Sequence, residues 1–211
     1  MVTARNPVLR AVTALRRLVG AVAAGMGYAA GWGFVACALF ITGDVVARAF
    51  FRVSSGATTE ITGYMLAFGL SWGLAHGLAT RTHVRIDLLV NKLPPGVRVW
   101  LHLLALAALL GFAAVVAYAA WGLVEESLLF DATDISLLRI PLAIPQALWA
   151  GGIVVLVVLA ALMLFENLLL ALAGDMAAVD ANLSARSYSE EVKEALDAVG
   201  VPKATSLGAK A

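Results

Sequence analysis

Few residues in this chain could do chemistry, and their spacing limits what that chemistry could be. His76 and His102 lie five and four residues from Arg81 and Arg98, arginines that each close an apolar stretch. On antiparallel neighbouring helices the two imidazoles would sit at similar depth, and such a pair could supply the axial ligands of a b-type haem. Histidines near helix ends also simply hydrogen-bond a neighbour or water, which requires no cofactor. Asp44 and Glu60 lie at the ends of apolar stretches, and Glu166, beside Asn167, lies near the end of the last one. An ion-coupled transporter acting alone would place a carboxylate deep on its path, so this pattern argues against one. Cys37 is the single cysteine, which excludes an internal disulfide and any CxxC motif. No Ser/His/Asp set, phosphate-binding loop or HExxH is present, so neither enzyme activity nor a metal or cofactor is expected.

The elements that would carry these residues are set by composition. Hydrophobic residues make up 62% of the chain and charged residues 14%, against about 45–50% and 25% in an ordinary soluble domain. The charges leave four uncharged runs, Arg17 to Asp44, Glu60 to Arg81, Arg98 to Glu125 and Arg139 to Glu166, holding 26, 20, 26 and 26 residues. About 20 helical residues cross a hydrocarbon core of about 30 Å. The expected fold is therefore an all-α membrane protein with four transmembrane helices, at about 25–47, 60–80, 97–124 and 145–172. A basic amphipathic segment, 1–24, precedes them and a flexible tail, 174–211, follows. The first apolar run is too long for the core of a signal peptide, so it reads as a retained span.

Lysines and arginines set the orientation. Arg5, Arg10, Arg16 and Arg17 precede the first span, Arg48 and Arg52 lie between the first and second, and Arg81, Arg85, Lys92 and Arg98 lie between the second and third. The loop before the last span instead holds Glu125, Glu126, Asp131 and Asp134 with Arg139 alone. Basic loops stay in the cytoplasm, so both termini should face it. In the stretch "RTHVRIDLLVNKLPP", Asp87 is placed to cap a short amphipathic segment lying on the membrane surface. A solvated basic loop beside anionic headgroups accounts for the same residues. Gly69, Gly73 and Gly77 put three missing side chains on one face of the second helix, a candidate packing seam, and Gly27 and Gly31 offer a weaker one. Pro145 is placed to open the last helix. A net charge of +1 gives no indication of nucleic acid, and none is expected as a partner.

Three motifs occur in order: "TEITGYMLAFGLSWGLAHGLATRTHVRIDLL", "LPPGVR" and "LLRIPLAIPQALWAGG". Together they resemble the small membrane subunit of TRAP transporters, the DctQ-like family, over about residues 25 to 173. Glu60, Tyr64, His83, Arg85, Asp87, Leu88, Leu93, Pro94, Ile140, Pro141, Ile144 and Pro145 match the family pattern. Ala143 and Ala150 depart from it. The resemblance implies a scaffold subunit in a bacterial inner membrane, with no substrate site of its own. Its implied partners are a large DctM-like membrane subunit and a periplasmic substrate-binding protein, in sodium-coupled uptake of an organic anion such as a carboxylate. His83, Arg85 and Asp87 would then form a cytoplasmic brace, with Glu60, Tyr64, Pro94, Pro141 and Pro145 as structural or partner-facing motif residues.

Overall fold

Pro7 and Pro95 each begin a helix, where the missing N–H costs nothing because the first-turn amides have no intrahelical acceptor. The computed structural model describes residues 7–81, 93–136 and 138–184. Within these lie α1 (Pro7–Phe51), α2 (Thr58–Thr80), α3 (Pro95–Leu129), α4 (Ala143–Leu172) and a short α5 (Met176–Leu183). No strand forms among the described residues; one isolated bridge joins Thr133 to Pro141. α1 continues unbroken from the basic N-terminal segment into the first apolar run, since no proline follows Pro7 to interrupt it. α4 begins at Ala143, two residues before Pro145, whose ring is tolerated because it still falls in the first turn. The stretch assigned to a flexible tail opens on an ordered helix: Asp175 accepts a hydrogen bond from the Ala178 N–H at 3.1 Å, and Val179 and Leu183 of α5 are fully buried.

Among the described residues, three helices are long and apolar enough to cross a membrane: Pro7–Phe51, Gly96–Leu129 and Ala143–Leu172. With 23 residues α2 has the length, but its Thr, Ser, His and Gly residues leave it no stretch as apolar as those of the other three.

α4 is the hub, packing against α1, α2, α3 and α5, while α3 packs against α4 and α5. Burial follows this arrangement. On α1, Leu9, Ala23, Ala30, Cys37 and Asp44 are buried at multiples of seven residues, and α3 buries Val99, Leu106, Ala113, Ala120 and Ser127 at the same interval. A seven-residue stripe is the narrow seam of a helix that meets its neighbours along one side. α4 buries a wider band, including Gly152, Ile153, Leu156, Leu159, Ala160 and Met163, as a helix surrounded on several sides must.

Glycines permit the closest approaches. A Cβ on Gly152 would lie 2.8 Å from the backbone carbon of Ser71 and 2.7 Å from the Trp72 ring. The same space admits the Trp72 indole, whose Nε1 donates to the Leu148 carbonyl at 2.9 Å. Gly27 receives His76 and Gly69 receives Phe34, each with a hypothetical Cβ 2.4 Å from the neighbouring ring. Gly73, in contrast, has open space around its Cβ position. Replacing Gly152 with valine should therefore cost at least about 1–3 kcal/mol, the usual range for overpacking. Gly73→Ala should leave thermal unfolding in detergent within experimental scatter of the wild type, so the pair of melting curves separates a close approach from a merely small residue.

Candidate functional site: polar ties at the two ends of the bundle

His76 and His102 do not share a packing surface. His76 leans on α1, its ring over Gly27 and 6.4 Å from the Tyr28 ring centroid. His102 is buried on α3, which packs against α4 and α5. With α4 as the hub between them, the facing imidazole pair that axial haem ligation needs is not built by this bundle.

The arginine-rich end is held by ties between distant parts of the chain. Glu166 on α4 is buried and forms an ion pair with Arg16 of α1. The Thr13 hydroxyl donates to its other oxygen at 2.8 Å. Next to it Asn167 donates to the Met163 carbonyl at 2.8 Å and accepts from Asn182 of α5 at 3.3 Å. Arg98 of α3 grips Asp180 of α5 with Nε and Nη2, a two-pronged geometry that a lysine could not reproduce. Arg81 ends α2 in the left-handed region, φ 59°, a conformation usually left to glycine. Its guanidinium donates to the Ala181 carbonyl at 2.7 Å, so the strained residue is also the one that anchors α5 beneath α2. Every helix is thereby tied at this end, through α5 or through Glu166.

At the opposite end the ties organise loops. Asp44, buried near the end of α1, accepts from the Ser55 N–H at 2.9 Å and the Thr58 hydroxyl at 2.7 Å, and pairs with Arg48 at 2.5 Å. One carboxylate thus fixes the α1–α2 turn. Tyr64 donates to Asp134 at 2.9 Å, joining α2 to the α3–α4 loop. That loop is ordered by Asp134 N–H to Ile140 carbonyl at 3.0 Å and Leu142 N–H to Ala132 carbonyl at 2.9 Å, on either side of the Thr133–Pro141 bridge. Hydrogen bonds from Ser136, and then from Tyr64, hold the Asp134 carboxyl below the ordinary aspartate value, against the opposing effect of burial. Tyr64, Pro145, Gln146 and Trp149 help line a cavity of about 130 Å³. Tyr64, Pro141 and Pro145 are therefore gathered around one loop, with Glu60 half-buried one turn from Tyr64.

The three seam glycines do not share one intrachain surface: Gly69 meets α1, Gly73 faces open space and Gly77 is half-buried. Pro94 caps the start of α3. His83, Arg85 and Asp87 lie outside the described residues. Sequence reasoning missed Gly152 and the α5 ties. The Gly151-Gly152 pair after Trp149 was a visible signal for the first; Arg98 and Asp180, 82 residues apart, offered none for the second.

No cluster of three or more His, Cys, Asp or Glu suited to a metal occurs among the described residues. A protein-family model described as "Tripartite ATP-independent periplasmic transporters, DctQ component" matches residues 37–170, which covers α2, α3, nearly all of α4 and the last part of α1. No curated protein and no solved structure matches the chain.

Two outcomes are expected from these ties. Arg16→Met should destabilise the bundle by about 3–5 kcal/mol, because it strands a buried carboxylate, and Arg16→Met with Glu166→Leu should recover most of that loss. Unfolding in mixed micelles measures both. Because the folded Asp134 carboxyl titrates below its ordinary 3.8, its stabilising contribution is complete above that pH and is lost as pH falls through the lower folded value. Asp134→Asn should therefore flatten the acid limb of the stability profile, and an unaltered limb would show that Tyr64 does not depend on the charge.

Proposed function

Because the chain belongs to the DctQ component family of tripartite ATP-independent periplasmic transporters, we propose that it is the small, non-catalytic scaffold subunit of such a transporter. It supports a large DctM-like membrane subunit in sodium-coupled uptake of an organic anion such as a carboxylate, delivered by a periplasmic substrate-binding protein. One observation carries the scaffold role: the buried carboxylates Asp44, Asp134 and Glu166 are each engaged in ties between elements. A carboxylate already held by hydroxyls, amides and an arginine is a fastener, not a carrier of sodium or protons.

In this reading α2 is the fourth span and the domain of four helices occupies about residues 25–173, within the bacterial inner membrane. The end bearing Arg16, Arg81 and Arg98 is cytoplasmic by the positive-inside rule, and the end bearing Glu125, Glu126 and Asp131 is periplasmic. His83, Arg85 and Asp87 brace the cytoplasmic surface between α2 and α3. The exposed stripe of α2, Gly63, Leu66, Leu70 and Leu74 with Gly73 beside it, suits a close-packed transmembrane partner.

Tagged chain purified in mild detergent from its native membrane should bring down a larger, very hydrophobic protein in stoichiometric amount and show no visible absorption band. Gly73→Leu, whose Cβ meets nothing within 4 Å among the described residues, should lower recovery of that partner while the subunit keeps its own melting temperature. Undiminished recovery would remove Gly73 from the interface, and a Soret band without a partner would overturn the scaffold role itself.

A further inference from the structure

Arg10 and Arg17 lie one heptad apart on the same face of α1, about 10 Å along the axis. Both are exposed, and neither has an ion-pair or hydrogen-bond partner among the described residues, whereas Arg16 between them is spent on Glu166. Thr13 and Ala14 separate them, and these small side chains leave a groove of about 350 Å³ walled by the two arginines. Two guanidiniums that flank one groove, with no partner among the described residues, repel each other, and an anion between them removes that repulsion while accepting up to several N–H donors.

The same helix face continues toward the bilayer with Ala21 and Ala24, then reaches a second shallow groove of about 220 Å³. Gly27, Tyr28, Gly31, Trp32 and Val35 line it, with Tyr28 and Trp32 about three-quarters exposed. Gly31 lies 14 residues beyond Arg17, about 21 Å deeper. An anionic head site is thus followed, along one helix, by a track of small residues ending between two aromatic walls.

We propose that Arg10 and Arg17 bind the phosphodiester of an anionic phospholipid whose acyl chain lies along Ala21, Ala24 and Gly31. The assignment of this end to the cytoplasmic headgroup layer rests on the topology given above. Arg17 borders the uncharged run and Arg10 stands about 10 Å further out, so the pair straddles the headgroups, the depth at which each basic residue adds to anionic-lipid affinity. A free phosphate shares the head chemistry but has no use for the track, which is why the lipid is the ligand.

The test uses full-length chain purified with its large subunit, delipidated in neutral detergent, titrated with phosphatidylglycerol or phosphatidylcholine, and read by native mass spectrometry. The wild type should retain phosphatidylglycerol preferentially. Arg10→Gln with Arg17→Gln should lower that retention about fivefold per arginine, with an unchanged melting temperature because neither side chain has a partner among the described residues. Arg10→Lys with Arg17→Lys should keep most of it. Equal retention by the glutamine variant, equal binding of the two lipids, or displacement by equimolar inorganic phosphate would overturn the proposal. Absence of the large subunit from the same spectrum, with the lipid effect intact, would instead refute the family role and leave the lipid site standing.

Discussion

Between hydrocarbon tails an apolar helix gains nothing from touching another apolar helix, since lipid is as good a neighbour as leucine. Whatever holds this bundle together must come from close contact and from polar bonds that the tails cannot offer. The structure supplies both around α4. Gly152 lets the backbone of α2 approach closely enough for Trp72 to reach a helix carbonyl. Near the other end of α4, Glu166 draws α1 in through Arg16 and Thr13. Remove the small residue or the buried pair and the hub loses a spoke.

The same constraint explains why the surface looks unfinished by the standards of a soluble protein. Large hydrophobic side chains such as Phe50, Phe51, Phe112 and Tyr118 are mostly exposed along α1 and α3. For a chain of a membrane transporter family these are the surfaces that meet lipid or another subunit, and α1 and α3 bury only a narrow side while α4 buries a wider band. Polar side chains are correspondingly economical: among the described residues, buried Asp44, Asp134 and Glu166 each join two elements or close a turn.

Much of this was legible in the sequence because charge and apolarity alone dictate where helices can lie in a bilayer. The ends of the uncharged runs fall within about five residues of the helix ends for α2 and α3, while α4 runs on past Glu166 to Leu172. α1 differed because arginines limit how deep a helix can sit without limiting how far it can extend, so Arg16 and Arg17 did not break it. The polar ties were less legible. Tyr64 was visible as a motif residue, but its partner Asp134 lay 70 residues away in a loop that read only as acidic. For His76 and His102 the converse holds: matched distance from a helix end fixes depth, while azimuth and neighbour choice depend on packing that no single sequence displays. α5 was hidden because eight residues of modest apolarity acquire a helix's stability only from the surface they dock on.

The Thr13 to Glu166 tie spans 153 residues of chain. During synthesis α1 exists long before α4, so Arg16 must wait through three further helices for its counter-charge, and Glu166 enters the membrane needing a partner already present. Early hairpin pairing of α1 with α2, fixed by Asp44 across a short loop, is local and rapid, whereas closure onto α4 carries the entropy of a long loop and comes late. The pair can close only once α4 has been made: a chain truncated before α4 lacks the carboxylate that draws α1 onto the hub through Arg16 and Thr13.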